Sequence, residues 1–252
     1  MNNPIVTIVI ATYNSSQTIR AALDSVENQM FQDWECIVVD GASKDGTIDI
    51  VKEYVKKDPR FRYISEPDNG VYDAFNKGWK NANGEWIHYL GDDDTLTTNG
   101  IHDLIQEDDG SVDILNGHCY VKKIDGKICH SFSSGYDGCH QGKIMRKSAL
   151  QRLNGFDTQY KILADVDLFC RAADSKVTVH VVNTFVAYFS MDGISQNLSG
   201  FWKRTVERYK IHKRYGFARI WKWVVLSSLR QLGSIIYRRI IVFFKKLIKP
   251  YR

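Results

Sequence analysis

Residues 5–10, Ile5-Val6-Thr7-Ile8-Val9-Ile10, form a continuous β-branched run, the pattern of a strand covered on both faces. The period then changes, and from about 16 to 29 Ile19, Ala22, Leu23 and Val26 recur at helical spacing. The apolar strand Cys36-Ile37-Val38-Val39 follows, then a polar turn over 40–46 and a helix carrying Ile48, Val51, Tyr54 and Val55. A short strand at 61–64, a helix at about 72–81 and a strand at 86–90 continue the alternation. Alternation over short loops predicts an α/β fold on a mostly parallel, doubly wound sheet. In such sheets ligands sit at the carboxyl ends of the strands. Thr12-Tyr13-Asn14, Asp40 and Asp92-Asp93-Asp94 all follow strand ends, so three separated segments are expected to converge on one crevice.

Beyond Thr95 the pattern is less regular. A helix near 99–106 precedes segments at 113–119 and 121–132, where Asp125-Gly126 marks a hairpin turn. Residues 135–143 read as a loop over the strand ends, 165–173 as a helix, and 177–182 and 185–189 as strands. Neither a repeat nor a low-complexity linker interrupts residues 1–195, which are expected to form one catalytic domain.

Composition divides the chain differently. Of 252 residues 44% are hydrophobic, enough for a substantial core. The net charge of +5 averages two unlike parts, because no Asp or Glu follows Glu207 whereas thirteen Lys and Arg do. Residues 1–207 thus carry 21 basic and 29 acidic side chains, and 208–252 carry +13. Within 219–252, Val225, Leu229, Leu232, Ile236, Ile240, Phe243 and Leu247 draw one apolar stripe, with Lys222, Arg230, Arg238, Lys245 and Lys249 largely off it. Residues 196–252 therefore read as a basic amphipathic helical tail, too interrupted to span a bilayer and suited to lying in the plane of an anionic membrane surface through 208–252. Packing of the stripe on the domain or on a partner chain is the other reading. A nucleic-acid-binding module would leave the acidic body unexplained, so no nucleic-acid partner is expected. The five cysteines are scattered, with no Cys-x-x-Cys pair, and no secretory signal is visible at the start; both point to a cytoplasmic protein.

The chemistry concentrates at Gly91-Asp92-Asp93-Asp94. Three adjacent carboxylates after a buried strand repel one another, and a Mg2+ or Mn2+ ion shared with substrate phosphates would relieve that repulsion. A solvated turn in which Asp94 or Thr95 caps the next helix is the plain alternative. Asp40 is placed to accept a hydrogen bond from a nucleobase edge such as uracil N3–H, or to serve only as a turn residue. The stretch 65–78, Ser-Glu-Pro-Asp-Asn-Gly-Val-Tyr-Asp-Ala-Phe-Asn-Lys-Gly, joins a strand to a helix and places Asp68 and Asp73 near a ribose and phosphates. Neither a dinucleotide fingerprint nor a P-loop follows any strand.

Taken in order, residues 4–14, the run Val38 to Thr47, residues 65–78 and Gly91-Asp92-Asp93-Asp94 resemble the inverting family 2 glycosyltransferases, a likeness extending to about residue 190. His140-Gln141, Asn154-Gly155-Phe156-Asp157 and Leu163-Ala164-Asp165-Val166-Asp167-Leu168 resemble bacterial members that build O-antigen, capsule or exopolysaccharide units. The resemblance implies the GT-A nucleotide-sugar fold and transfer of a hexose or N-acetylhexosamine, UDP being the family's commonest carrier. The implied acceptor is a saccharide on a polyprenyl diphosphate, at the inner face of the cytoplasmic membrane. By position, Thr12, Tyr13 and Asp40 would hold the base, with Asn14 in the same nucleotide-sugar site, Asp68 and Asp73 toward ribose and phosphates, and Asp93 near the ribose or the metal. Asp92 and Asp94 would contact the metal, and Asp165 would be the catalytic base. His140 would touch donor or acceptor. Members often carry Glu-Asp where this chain has Ala164-Asp165, which removes the usual preceding acid. A metal-dependent nucleotidyltransferase and a non-catalytic nucleotide-sugar-binding protein are the competing readings.

Overall fold

The computed structural model describes residues 3–123, 125–190 and 198–215. Strands β1 (Val6–Thr12), β2 (Trp34–Asp40), β3 (Phe61–Ser65) and β4 (Trp86–Gly91) alternate with helices α1 (Ile19–Glu27), α2 (Thr47–Lys57) and α3 (Val71–Lys80). The four strands pair in parallel in the order β3-β2-β1-β4. All of β1 is buried, and its side chains divide by parity. Val6, Ile8 and Ile10 pack with Ile19, Leu23 and Val51 of α1 and α2, whereas Val9 and Ala11 pack with Phe75 and Trp79 of α3. Helices on both faces leave no polar side, which is why the sequence shows an unbroken apolar run there. Helix α3 approaches β1 so closely that a Cβ on Gly78 would lie 2.1 Å from Val9 Cγ1, a contact only glycine tolerates.

The second half is mixed. It comprises β5 (Thr95–Leu96), α4 (Gly100–Gln106), β6 (Ile114–Lys122), β7 (Ile128–Ser131), a 3-10 turn (His140–Gly142), β8 (Lys143–Arg146), α5 (Lys147–Leu153), α6 (Ala164–Asp174) and β9 (Val179–Ser190). The sheet continues β4-β8-β6-β9-β5, and β7 pairs with β6 at one edge. Three expectations are corrected. The segments at 113–119 and 121–132 are one long β6, a turn, and a short β7. The loop expected over 135–143 ends in the 3-10 turn and runs into β8, which lies antiparallel between β4 and β6. The two strands expected at 177–182 and 185–189 are one β9, whose irregularity is absorbed by register shifts opposite Asn116 and His118. Strand β8 holds only Lys143-Ile144-Met145-Arg146, too few residues to reveal a period of two.

Helix α7 (Leu198–Arg214) packs on the domain through Ile211, which joins the core beneath α3, α5 and α6. The apolar stripe of 225–247, with its expected membrane contact, lies outside the described residues. Among the described residues no helix is long and apolar enough to cross a membrane. All five cysteines are free thiols.

Candidate active site

The loops after β1 and β2 are laced together at the carboxyl edge of the sheet. Asn14, at φ 51°, donates its backbone N–H to Ser43 Oγ (2.7 Å), and its side-chain oxygen accepts the Lys44 N–H (2.9 Å). Ser15 N–H reaches Thr47 Oγ1 (2.8 Å) and Ser16 N–H reaches Asp45 (3.0 Å). Hydrogen bonds led by the Thr47 hydroxyl hold the Asp45 carboxyl below the usual carboxylate range. Two flexible turns thereby become one platform. Tyr13 projects from it, 63% exposed, while Thr12 is buried with its Oγ1 lacking a partner. A buried hydroxyl without a partner costs about 1–3 kcal/mol, which marks Thr12 as a locally unsatisfied point of the platform.

Asp40 is fully buried, and its carboxylate already accepts Ser65 Oγ (2.7 Å) and the Ser43 N–H (3.2 Å). It therefore fixes the loop that carries Gly41. A Cβ on Gly41 would stand 2.7 Å from Asp68 Oδ2 and 3.2 Å from Tyr13 Cδ2, so Asp68 and Tyr13 both close in on the Gly41 backbone. Asp68 also accepts the Gly70 N–H (2.8 Å). Asp73 is tied to its own loop, taking the Asn69 N–H (3.0 Å) with Lys77 3.9 Å away. Asn76 of the same helix joins two of the sequence motifs. Its amide donates to Phe156 O (2.8 Å) and accepts from Phe156 N–H and Trp79 Nε1 (both 2.9 Å), so the stretch 154–157 is anchored on α3.

The acidic corner splits into unlike environments. Asp92 accepts from Tyr13 N–H (3.3 Å) and from Ser15 Oγ, which joins the end of β4 to the β1 platform. Asp93 is half-buried. Asp94 is 2% exposed, with Oδ2 accepting Gln141 Nε2 (2.7 Å) and Oδ1 accepting Ser190 N–H (2.8 Å). Burial raises the Asp94 carboxyl above its ordinary value despite those donors. The expected solvated-turn alternative, with Asp94 capping the next helix, is excluded by this burial and by the distance of its partners in sequence. The corner offers only hard carboxylate oxygens, which suits Mg2+ or Mn2+. No group of three or more His, Cys, Asp or Glu among the described residues is arranged to hold a metal alone. An ion here would draw its remaining ligands from substrate phosphates and water.

Gln141 and its neighbour His140 sit on the 3-10 turn and reach in opposite directions. Gln141 holds Asp94, and His140 Nδ1 lies 3.5 Å from Asp165 Oδ2. Asp165 enters from the first turn of α6, 24% exposed at its side chain, and its Oδ1 accepts Tyr72 Oη (3.0 Å) and Val166 N–H (2.9 Å). Burial pushes this carboxyl up, but His140, Val166 N–H and Tyr72 outweigh it and keep it below its ordinary value. Burial and the Asp165 charge raise the Tyr72 phenol well above its usual range, so it remains a donor. Beyond Asp165 opens a cleft of 1090 Å³ between the loop Ser134–Gly138 and α6, with Phe169, Arg214 and Tyr215 on its walls.

Buried charges hold this geometry. Lys143 Nζ donates to the carbonyls of Asp137 (3.0 Å), Gly138 (2.9 Å) and Cys139 (3.3 Å), shaping the loop ahead of His140; burial lowers its pKa to about 8. Glu207 of α7 accepts the consecutive N–H groups of Lys161 (2.8 Å), Ile162 (3.0 Å) and Leu163 (3.0 Å), immediately before α6. Sequence reasoning singled out neither of these, nor Ser15, Ser43, Ser65, Tyr72 or Ser190. Ser65 and Tyr72 carried a signal in their place within the 65–78 motif, and Ser43 in its place within the run Val38 to Thr47.

Comparisons with known proteins bear on the family and the fold. Over 95% of its length the chain is 27% identical to a "PGL/p-HBAD biosynthesis glycosyltransferase" of Mycobacterium tuberculosis (strain ATCC 25177 / H37Ra), of which it covers 99%. Over 52% of its length it is 30% identical to "GalNAc(5)-diNAcBac-PP-undecaprenol beta-1,3-glucosyltransferase" of Campylobacter jejuni, covering 42% of that protein. Among solved structures, the mannosyltransferase PcManGT from Pyrobaculum calidifontis in complex with GDP-Man and Mn2+ superposes with a TM-score of 0.68 (16% identity, 100% of this chain, 83% of that one). TarS 1-349 of S. aureus in complex with UDP-GlcNAc superposes with a TM-score of 0.66 (19% identity, 91% of this chain, 72% of that one). These likenesses fix the fold as GT-A. The model of "Glycosyl transferase family 2" matches residues 7–177, and with the α/β fold and the acidic corner at its strand ends the chain belongs to that family and is a glycosyltransferase.

Proposed function

We propose that the protein is an inverting glycosyltransferase that moves a hexose or N-acetylhexosamine from a nucleotide sugar, UDP-linked in the first instance, to a lipid-linked saccharide in cell-surface polysaccharide synthesis. The observation that carries the reading is the turn at His140-Gln141, where adjacent side chains connect the carboxylate expected on the donor diphosphate to the one expected on the acceptor. The base would lie against Thr12, Tyr13, Asn14 and the Asp40 loop, with Asp68, Asp73 and Asp93 toward ribose and phosphates. Asp92 and Asp94 would hold Mn2+ or Mg2+, which when bound offsets charge on the departing nucleoside diphosphate. Asp165 accepts the proton of the acceptor hydroxyl as that oxygen attacks the anomeric carbon from the side opposite the leaving group. Tyr72 and His140 keep Asp165 ionised and aimed. The 1090 Å³ cleft supplies room for the acceptor saccharide.

One relative supports the acceptor class, since it is named as a glucosyltransferase acting on a GalNAc(5)-diNAcBac saccharide carried on PP-undecaprenol. The structural neighbours, solved with UDP-GlcNAc and with GDP-Man and Mn2+, support a nucleotide-sugar donor and a divalent ion. The basic segment 208–252 would hold the enzyme on the inner face of the cytoplasmic membrane, where such acceptors are exposed. A panel of nucleotide sugars with a synthetic lipid-diphosphate acceptor, with Mn2+ and with EDTA, tests the assignment. Donor-specific release of nucleoside diphosphate that stops in EDTA is expected, and release of pyrophosphate would instead mark a nucleotidyltransferase.

Two mutational results follow. His140→Ala and Tyr72→Phe each remove a group that lowers the Asp165 pKa, leaving burial less opposed. The base then protonates at higher pH, so the acid limb of the kcat/KM profile moves upward, further for His140→Ala, whose contribution is larger. An acid limb unchanged in both variants would remove Asp165 as the titrating base. Gly41→Ala drives a methyl into Asp68 and Tyr13. The donor KM should rise by roughly 10-fold, equivalent to about 1.4 kcal/mol of binding, with kcat changed far less. An unchanged donor KM would show that the nucleotide does not bind against Gly41, Asp68 and Tyr13.

A further inference from the structure

The β6–β7 hairpin gives no side chain to the site, yet it exposes Phe132 (68%) and Ile128 (55%) to solvent. Strand alternation puts Ile128 and His130 on one face, opposite Lys122 and Tyr120 of β6, with Phe132 beyond them. The rings continue inward as a band. Tyr120 stacks between Phe185 (4.4 Å) and Tyr188 (4.7 Å) of β9, and Phe132 stands edge-on to Phe185 (5.8 Å) and His118 (5.1 Å). Because both faces of Tyr120 are covered, the centre of the band presents edges and hydroxyls, which is poor geometry for stacking a sugar ring. At the tip Lys122, Lys123 and Lys127 are all exposed, against Asp125 alone. Lysines on an edge strand commonly block strand addition. Two exposed apolar side chains on the same ribbon would defeat that purpose. Laid face-on, the Ile128–His130–Phe132 side brings its apolar groups toward the acyl boundary of an anionic bilayer, while the long lysine stems carry their charges back to the headgroups.

The position of the hairpin gives this face a use. Lys122 is the register partner of Ser190, whose N–H holds Asp94, so the tip rises from the rim of the site. Two residues beyond Phe132, Ser134 lines the cleft beside Asp165. A surface touching the hairpin would therefore border both halves of the site.

We propose that the β6–β7 hairpin is a docking element for an anionic lipid bilayer, with Phe132 and Ile128 seated at the acyl boundary and Lys122, Lys123 and Lys127 against the headgroups. It is a second contact, separate from the basic segment 208–252, and it orients the Asp165 cleft toward acceptors held at the surface. This use rests on the lipid-linked acceptor reading; the bilayer contact does not.

The test uses the full chain with phosphatidylcholine vesicles, with and without phosphatidylglycerol. The indole introduced by Phe132→Trp should add a component that shifts to the blue and is quenched by brominated acyl chains when phosphatidylglycerol is present. Replacing the three lysines by glutamine should weaken partition by on the order of 100-fold, at about fivefold per surface charge. Circular dichroism establishes that each variant is folded. An indole indifferent to anionic vesicles, or partition unaltered by removing the lysines, would overturn the proposal and leave 208–252 or a protein partner as the anchor. If the indole inserts but no saccharide reaches a lipid diphosphate, the docking element stands and the acceptor reading falls.

Discussion

Asp165→Asn is expected to lower kcat by on the order of 10³-fold, about 4 kcal/mol of transition-state stabilisation, while donor affinity measured by calorimetry stays close to wild type. Asparagine matches aspartate in shape, and its oxygen can still accept from Tyr72 and Val166, as Asp165 Oδ1 does. What it loses is the capacity to take up a proton. The donor groups stand on other elements, at the ends of β1, β2 and β4, so their geometry should survive. A variant with near-normal kcat would move the base elsewhere, and Asp167 is a poor replacement. It is fully buried against Arg171 (2.7 Å) and Tyr215 (3.1 Å), which makes it a structural anion.

Glu207→Ala should cost stability and activity together. The substitution strands three consecutive N–H groups that now share one carboxylate, the Leu163 bond buried and the other two partly so. At about 1–3 kcal/mol for each unsatisfied buried donor, less what water entering the vacated volume restores, a loss of about 3 kcal/mol is expected from urea denaturation. The same segment leads into α6, and the carbonyl of Ile162 accepts from Tyr72 (2.9 Å), so its loosening moves both Asp165 and the hydroxyl that aims it. We expect kcat to fall at temperatures where the variant is still folded, with donor affinity spared. Glu207→Gln, which keeps one acceptor oxygen, should recover part of each. A stable variant with unaltered kcat would mean that α7 merely covers the domain.

The sequence was most legible where one local rule dominated. The unbroken run of β1 announced a strand buried on both faces, and the placement of Asp40 and Asp92 after strand ends anticipated their convergence. Lys143-Ile144-Met145-Arg146 was illegible as a strand because four residues carry no period, and its pairing partners lie far along the chain. The fates of the site carboxylates were hidden for the same reason. Asp94 is defined by Gln141, 47 positions on, and by Ser190, 96 positions on. Asp40 is satisfied by Ser65 across a strand pairing, which no local pattern reveals. Glu207 read as the last acid before a basic tail, whereas tertiary packing makes it the clamp on the turn that leads into α6 and Asp165. Motif spacing pointed to the carboxylates at the strand ends, and long-range hydrogen bonds decide how each group is held.

The central claim is a single displacement in which Asp165 activates the acceptor while the nucleotide departs from the opposite face of the sugar. The anomeric configuration of the product, read by proton NMR after transfer from an α-linked nucleotide sugar, tests it most directly. The account predicts a β-linked product, and an α-linked product would contradict it.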